Sequence, residues 1–494
     1  MSRMTSRTIA PHTPVLVGIG IAMRREDDSA LALEPIDLML EAVYAAGADC
    51  GAPALLGSVS RIAVPRGRWR YNNPAGEIAR AVSAAQAQTI VSSVGVLQQT
   101  LIADACQSIF EGQIESALVT GADAGYRILR ARLAGLRADE RDQDDDPDVL
   151  LEPKAELRHP AEVAAGLKMP VGLYAMLESA RRAAGGLSVD DHRDQLAARY
   201  ARFAQIAAAN PDGWARTPLD AATIRDDGPR NPMQAFPYTR AHCSTWNVDQ
   251  SAALLFCSAE RATALGIDPE RWVFPLASAE SNHMVSLSAR ADLVRSPGAI
   301  ATARAVLEAG RITVAEIDLI ELYSCFPVAV DAFADALELP QDRDLTITGS
   351  MAFAGGPYNN YFFQATARAV QLLRAGAGRT ALLSCVSGIL TKQAFALWSI
   401  ELPSGGFVRR DVTAEVAATT AELPVVENYT GGGRVAGCTV LHARGEPPQA
   451  IALIDTDTGA RALAVSADDD TIADMERDEW VGRRVHVIGG KLAA

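Results

Sequence analysis

Side chains that could bind a metal or form disulfides are scattered along this 494-residue chain. The cysteines form no Cys-x-x-Cys pair and stand far apart: Cys50, Cys106, Cys243, Cys257, Cys325, Cys385 and Cys438. This spacing is neither that of a zinc site nor that of a disulfide framework. The acidic run 142–148 lacks the central glycine and terminal glutamate of a calcium loop, so we interpret it as a solvated loop. We therefore expect no metal site.

Histidines are the other candidate groups, because a cysteine or serine nucleophile needs a base beside it. Those in the body of the chain are His159, His192, His242 and His283, and none stands in a catalytic motif. His192 falls on a polar helical segment, which predicts a solvated side chain. For His242 and His283 the favoured interpretation is a structural histidine.

The elements that would position such groups follow an alternating pattern. Apolar runs predict strands, and longer amphipathic segments predict helices. The first series has strands at 15–21, 62–64, 89–91 and 116–120 and helices at 35–46, 76–87 and 98–111. After an interruption at about 126–250, a second series has helices at 300–310, 328–337 and 361–376 and strands at 317–322, 345–348 and 381–384. Two units of the same order predict an α/β protein with an internal duplication and covered sheet faces.

The character of the chain changes near Pro403–Gly406. Short strand signals then recur between glycine-rich turns, at 435–442, 450–456, 461–466 and 484–489, with one helix near 470–477. This pattern predicts a small β-barrel or OB-like appended domain over 407–494.

One glycine-rich stretch carries a family resemblance. Residues 349–357 read Gly-Ser-Met-Ala-Phe-Ala-Gly-Gly-Pro, which resembles the Gly-Gly-x-x-x-x-Gly-His-Pro loop of thiolases, with Gly356 at the catalytic histidine position. Residues 12–402 are similar to the thiolase superfamily, more narrowly to acetyl-CoA acetyltransferase-like proteins that lack this histidine and carry an extra OB-like domain. The resemblance implies a duplicated, five-layered αβαβα fold with an inserted loop domain. It divides the chain into 12–275 (insertion at about 126–250), 276–403 and 407–494.

The other three thiolase loops are altered as well. By resemblance the nucleophilic cysteine would stand near Gly95, where only Ser92 and Ser93 offer hydroxyls. Tyr323 takes the asparagine position of the Asn-Glu-Ala-Phe loop and Cys325 its alanine position. Cys385 matches the cysteine of the Cys-x-Gly loop.

Tyr358, two residues after Gly356, is a further candidate acid. The catalytic candidates are therefore Tyr323, Cys325, Cys385 and Tyr358, with Gly356 and Gly95 marking lost positions. A tyrosine hydroxyl could polarise a carbonyl in place of the lost machinery, or it could merely fill the emptied pocket.

The resemblance implies coenzyme A or an acyl-CoA as ligand, with no tightly bound cofactor. An acyltransferase or carbon–carbon lyase in lipid metabolism is one hypothesis, and an inactive acyl-CoA-binding or scaffold protein is the alternative. Ordinary thiolase activity is not expected, because the nucleophile and the histidine each supply powers of ten in rate.

Composition sets outer bounds on function. A formal charge of −14 and a pI near 5.1 argue against nucleic acid as a partner. No apolar run reaches the roughly 20 residues of a membrane span, and the N-terminus lacks the apolar core of a signal peptide. We therefore expect a cytoplasmic protein, either a homodimer or, if the appended domain alters the dimer surface, a monomer.

Overall fold

The computed structural model describes residues 9–340, 342–402 and 405–493. Part of the linker predicted at 403–406 lies outside these residues. The strands are β1 (Pro14–Arg24), β2 (Arg61–Pro65), β3 (Gln88–Ser92), β4 (Ser116–Ala124), β5 (Val149–Leu151), β6 (Met233–Ala235), β7 (Tyr238–Thr239), β8 (Asp249–Ser258), β9 (Phe274–Ser281), β10 (Leu319–Glu321), β11 (Thr380–Ser387), β12 (Lys392–Ser399), β13 (Val408–Asp411), β14 (Val425–Val426), β15 (Gly431–Leu441), β16 (Gln449–Thr456), β17 (Arg461–Ser466), β18 (Arg484–Ile488) and β19 (Lys491–Leu492). The helices are α1 (Pro35–Asp49), α2 (Pro74–Ala81), α3 (Gln98–Phe110), α4 (Gly125–Leu133), α5 (Pro160–Ala164), α6 (Pro170–Ala184), α7 (Val189–Ala209), α8 (Ala221–Arg225), α9 (Ala259–Ala264), α10 (Pro297–Gly310), α11 (Pro327–Ala336), α12 (Ser350–Phe353), α13 (Tyr361–Arg374), α14 (Thr413–Thr419) and α15 (Asp469–Arg477).

Two mixed sheets form the core, one from each half of the chain. The first has the order β1-β8-β4-β2-β3-β5, and the second β10-β11-β12-β9-β13. Helices α3 and α13 pack between them and contact strands of both sheets. Helices α1 and α2 cover the outer face of the first sheet, and α10 and α11 lie outside the second. This arrangement is the five-layered αβαβα fold predicted for the chain.

The third sheet confirms a β-rich C-terminal region, but it also recruits strands from the insertion. Its order is β14-β17-β19-β18-β15-β6-β7, with β16 between β15 and β17. Strands β6 and β7 belong to 233–239, inside the inserted segment, and β6 pairs with the end of β15. The insertion and the appended region therefore share one sheet.

Two segments differ from the predicted pattern. The strand predicted at 345–348 does not form, because the backbone amides of Ile347 and Thr348 donate to the Glu321 carboxylate at 2.7 and 3.0 Å instead of to a neighbouring strand. Directly after the boundary predicted at 407, β13 pairs in parallel with β9 and becomes an edge strand of the second core sheet. The β-rich sheet itself begins at β14.

The acidic stretch at 139–148 is exposed, as predicted, but it is tied to the protein surface. The Arg141 guanidinium binds Asp37 and Glu77 at 2.7 Å each, and the Asp148 carboxylate accepts from the amide and hydroxyl of Thr89 at 2.8 Å. We refer to residues 139–148 as the acidic strap. It leads directly into β5, which pairs with β3 at the edge of the first sheet.

Candidate active site

Three of the predicted loops meet at the carboxyl ends of β10 and β11. The backbone amide of Tyr323, just after β10, donates to Ser384 Oγ at 2.8 Å. The hydroxyl of Ser324 accepts from the amide of Met351 at 3.0 Å. Parallel strands bring their carboxyl ends to one edge of a sheet, which is the usual place for a site in such folds. The loops containing Tyr323, Cys385 and Gly356 are therefore held against one another.

Tyr323 lies at the centre of this junction and is 6% exposed. Its ring packs edge-on against Tyr361 at 5.5 Å, and its hydroxyl lies 3.5 Å from Gln98 Nε2 at the start of α3. Burial raises the pKa of Tyr323 well above its ordinary value, and the neighbouring thiols of Cys385 and Cys325 raise it further. The hydroxyl therefore stays protonated at neutral pH and can donate a hydrogen bond but cannot act as a base.

A buried acidic network holds the second and third loops behind Tyr323. Both Glu321 carboxylate oxygens are engaged, accepting from Tyr361 and Thr348 hydroxyls as well as from two backbone amides. Burial raises the pKa of Glu321. Glutamate followed by a turn is a common sequence, and nothing in the pattern singled this residue out. Its role here is to position Tyr361 and, through ring packing, Tyr323.

The two candidate thiols lie close to Tyr323, and neither is activated. Cys385 on β11 is fully buried, facing the backbone amides of Gln98 and Gln99 at the N-terminus of α3. Those amides lower its pKa, but the larger effect of burial raises it to about 12. Burial also raises the pKa of Cys325 to about 12, against a lowering by the Tyr174 hydroxyl. Because the thiolate is the nucleophilic form, both cysteines are poorly reactive at neutral pH.

Gly356 has no room for the histidine that thiolases carry. A Cβ built on Gly356 would lie 2.6 Å from Ser244 Oγ and 3.4 Å from Met351 Cε. The Gly356 amide donates to the carbonyl of Thr245 at 2.9 Å, so the 244–245 segment lies directly against the glycine. Ser244 thus fills the space of the missing side chain. No local sequence pattern indicates this contact, since the two residues are more than a hundred positions apart.

A side chain is also disfavoured at Gly95, the predicted nucleophile position. It has a φ of +103°, and a Cβ there would lie 3.0 Å from Pro153. Its carbonyl accepts a 2.7 Å hydrogen bond from Lys392 Nζ. Lys392 is 3% exposed and forms no ion pair with any described residue, and burial lowers its pKa. Lys392 was not among the functional residues predicted from the sequence, because nothing near it resembles a motif.

Tyr358 stands at the rim of the junction. It is 36% exposed, has a φ of +49°, and lies near the ion pair of Arg68 with Asp123. Its side chain is close enough to Tyr323 to influence the Tyr323 pKa. The other three candidate side chains, Cys325, Cys385 and Tyr358, therefore lie around Tyr323, whereas Gly95 lies in the loop before α3.

The histidines take no part in this cluster. His192 is buried and its Nε2 lies 2.9 Å from Glu178, so the prediction of a solvated side chain was wrong: the α7 face that bears it packs inward. His159 caps α5. His242 is 2% exposed, its Nδ1 lies 3.0 Å from the Thr239 hydroxyl, and burial lowers its pKa to about 4. In the part of the chain that the structure describes, no cluster of His, Cys, Asp or Glu could hold a metal ion.

A cavity of about 340 Å³ adjoins the junction. It is lined by Val328, which follows the Cys325 loop, by Leu390 and Thr391, which follow the Cys385 loop, and by Leu177 of α6. Such a volume is within the range of small-molecule sites, about 300–1,000 Å³. The wall also contains Arg290, which is 7% exposed.

Two αβ halves that enclose a central helix pair, with catalytic loops at the strand ends, define the thiolase fold, and three of the predicted loops meet in this way here. No protein-family model matches the sequence. The solved structure of a monomeric SCP2-thiolase like protein type 1 from Mycobacterium smegmatis is similar with a TM-score of 0.82 and 27% identity, covering 98% of this chain and 100% of that one. An Ltp2–ChsH2(DUF35) aldolase gives a TM-score of 0.59 at 18% identity, covering 79% of this chain and 99% of that one.

A curated acetyl-CoA acetyltransferase from Methanothermobacter thermautotrophicus is 26% identical over 238 residues. That match covers 44% of this chain and only 58% of the relative's length. The chain therefore has a thiolase-superfamily fold, with a β-rich C-terminal region beside its core. None of the helices within 9–340, 342–402 and 405–493 combines the length and apolarity needed to cross a membrane.

Proposed function

We propose that this protein binds an acyl-CoA and makes or breaks a carbon–carbon bond next to the thioester, with the Tyr323 hydroxyl polarising the carbonyl. The observation that carries the proposal is a buried, protonated phenol at the meeting point of the loops. A hydrogen bond to a developing oxyanion in such a site contributes about 3–4 kcal/mol. The reaction needs no thiolate, which agrees with the raised thiol pKa values.

The cavity supports this assignment by its position. Its wall includes Leu177 of α6 and residues that follow the Cys325 and Cys385 loops, and its Arg290 lies near Tyr174, which in turn lies against Cys325. At about 340 Å³ it can hold part of an acyl-CoA, with the nucleotide outside. The names of the two related proteins, an acetyl-CoA acetyltransferase and an aldolase, fit acyl-CoA chemistry of this type.

The test is a Tyr323→Phe variant assayed against β-hydroxyacyl-CoA and acyl-CoA esters for cleavage or condensation. We expect the rate to fall roughly a hundredfold or more while the dissociation constant of the ester stays nearly unchanged. Tyr44→Phe is the matched control, because Tyr44 is half exposed on α1 and its hydroxyl donates to Ala81 far from the junction. Turnover that survives Tyr323→Phe would refute the role of Tyr323.

A second candidate is an acyl-CoA-binding protein without catalysis. The observation favouring it is steric: at both positions where thiolases carry catalytic side chains, a Cβ would lie close to another residue, Ser244 at Gly356 and Pro153 at Gly95. Under both hypotheses, the enzyme and the binding protein, thiolysis of acetoacetyl-CoA should be undetectable or far below that of a working thiolase. Binding of CoA esters with no turnover of any of them would establish the second candidate.

A further inference from the structure

The cavity wall contains a buried cation that the proposed reaction does not use. Arg290 is 7% exposed, and its guanidinium donates only to backbone carbonyls, from Nε to Val285 at 3.1 Å and from Nη2 to Ile389 at 2.5 Å. It forms no ion pair among the described residues. The imidazole of His283 lines the same cavity, and its buried Nε2 has no hydrogen-bond partner in the described part of the chain.

The charged groups around Arg290 do not neutralise it at close range. The Glu162 carboxylate acts on the charge of Arg290 but forms no ion pair with it. Its Oε1 accepts from the Ser288 amide and hydroxyl at 2.7 and 2.8 Å, and its Oε2 accepts from the His159 amide. Although Glu162 and the Tyr174 hydroxyl act to raise the pKa of Arg290, the larger effect of burial lowers it to about 10. A buried charge without a partner is costly, and such charges are normally paired.

The other arginines of the cavity differ in this respect. Arg181 pairs with Asp335, and Arg304 pairs with Glu415, so their charges are compensated by residues of the chain itself. Arg295 lies exposed at the mouth. Arg290 is thus the arginine of this cavity that is both buried and without a carboxylate, and its planar guanidinium suits bidentate binding of a carboxylate.

We infer that the cavity accepts an acyl group carrying a second, free carboxylate, which Arg290 binds. This inference rests on the proposed function and names its substrate class: CoA thioesters of dicarboxylic acids. Arg290 contacts Ile389 of the Cys385 loop and lies near Tyr174, which lies against Cys325. An anion bound there is close to the reacting end of the ligand, whereas the phosphates of coenzyme A lie at the opposite end of the pantetheine arm.

The experiment is equilibrium binding to the full-length protein of matched pairs of esters: succinyl-CoA with butyryl-CoA, glutaryl-CoA with valeryl-CoA, and free CoA. A charge-assisted hydrogen bond contributes about 1.5–3 kcal/mol, so we expect the dicarboxylic member to bind about tenfold or more tightly. Arg290→Gln should abolish this preference and leave the neutral esters and free CoA almost unaffected. Arg290→Lys, which keeps the charge, should retain part of it.

Arg304→Gln is the matched control on the same cavity, and it should leave the ratio within each pair unchanged. Equal affinity for both members of every pair in the natural protein would overturn the inference while leaving the proposed function intact, and this result does not depend on any variant folding. A uniform loss of all ligands, free CoA included, in a folded Arg290→Gln variant would show that the arginine binds a CoA phosphate, which also overturns it. If no CoA ester binds at all, the proposed function fails as well.

Discussion

At the scale of single residues, the site has replaced acid–base and thiolate groups with groups that are neutral at physiological pH. Tyr323 is a protonated phenol, and Cys325 and Cys385 are protonated thiols. Burial is the largest cause in each case, because a low-dielectric interior disfavours the charged form of any side chain. What remains is a set of hydrogen-bond donors and apolar surfaces, suited to polarising a bound carbonyl.

The steric conflict between Ser244 and a side chain at position 356 can be measured as a coupling energy between the two positions. Gly356→Ala should lower the free energy of unfolding by about 1–3 kcal/mol, because the new methyl group lies within 3 Å of Ser244 Oγ. In a Ser244→Ala background the same change should cost clearly less, since the clashing atom is gone. A denaturant double-mutant cycle measures the difference, expected in the range of about 0.5–3 kcal/mol. Strictly additive effects would mean that Ser244 does not occupy this space.

His242 makes a prediction for the pH dependence of stability. Its pKa is lowered from 6.5 to about 4 by burial, with Arg193 and His192 adding to the lowering and Glu178 opposing it. As the pH falls from about 6.5 towards 4, the unfolded chain takes up a proton at this position and the folded chain does not. Stability is therefore lost across this window, by an amount on the order of 3 kcal/mol at its acidic end.

Chemical unfolding at pH 7 and at pH 5 tests this in the natural protein and in His242→Gln. The variant should lose less stability on acidification than the natural protein, whatever its stability at pH 7. His486→Gln, a change at an exposed histidine of β18, should keep the full acid sensitivity. Identical pH profiles for the natural protein and His242→Gln would contradict the assignment.

At the scale of elements, the acidic strap is exposed, as its charge predicts, but it is also bound to the protein surface. Charge and exposure predict a solvated stretch and an early protease site. In the structure Arg141 binds carboxylates of both α1 and α2, and the strap then continues into β5. A segment fixed at several points cannot easily adopt the extended, mobile conformation that a protease needs.

Arg141→Ala should therefore release the strap. We expect limited proteolysis within 139–148 to become several times faster, while the global free energy of unfolding falls by about 1 kcal/mol or less, because exposed ion pairs contribute little to it. Arg137→Ala, at an exposed arginine four residues earlier, is the control and should leave the cleavage rate unchanged. Rapid cleavage of the strap in the natural protein would show that these contacts do not restrain it.

At the scale of the whole molecule, α6 joins the cavity to the β-rich region. One end of this helix carries Tyr174 and Leu177 at the site. On its other side Ser179 Oγ accepts from the Cys438 amide at 2.8 Å, and Arg182 forms two 3.0 Å bonds to Glu479. The β-rich region therefore supports the helix that lines the cavity and is more than a detachable appendage.

Glu479→Gln tests this support. Arg182 is 2% exposed, and the change would leave its guanidinium without a carboxylate. Breaking a buried pair costs about 3–5 kcal/mol, but Glu479 is 35% exposed and water can partly replace it, so we expect about 1–3 kcal/mol and a lowered Tm. Asp478→Asn, which removes an exposed pair with Arg477, should change the Tm little. An unchanged Tm for Glu479→Gln would indicate that the two regions unfold independently.

The fold class could be predicted from the sequence alone, as could the altered thiolase loops. The alternating periodicities predicted β1, α1, α3 and α13 to within a few residues at most ends, because burial of a strand or helix face is encoded locally. Gly356 and the absence of a cysteine near Gly95 already lead to the expectation that ordinary thiolase chemistry is absent. The strand predicted at 345–348 does not form, because two of its backbone amides donate to the buried carboxylate of Glu321, which stands 24 or more residues earlier in the chain.

The groups that surround Gly356 and Gly95 depend on how the elements pack and could not be predicted from the sequence. Ser244 lies against Gly356 and Pro153 against Gly95, while Lys392 donates to the Gly95 carbonyl, and no local pattern marks any of them. The same is true of Arg290 on the cavity wall. Protonation states also depend on the tertiary structure, since the pKa of Tyr323, Cys385 or His242 depends on burial by neighbours remote in sequence. Local periodicity specifies elements, whereas the electrostatics of a site arise only when those elements pack together.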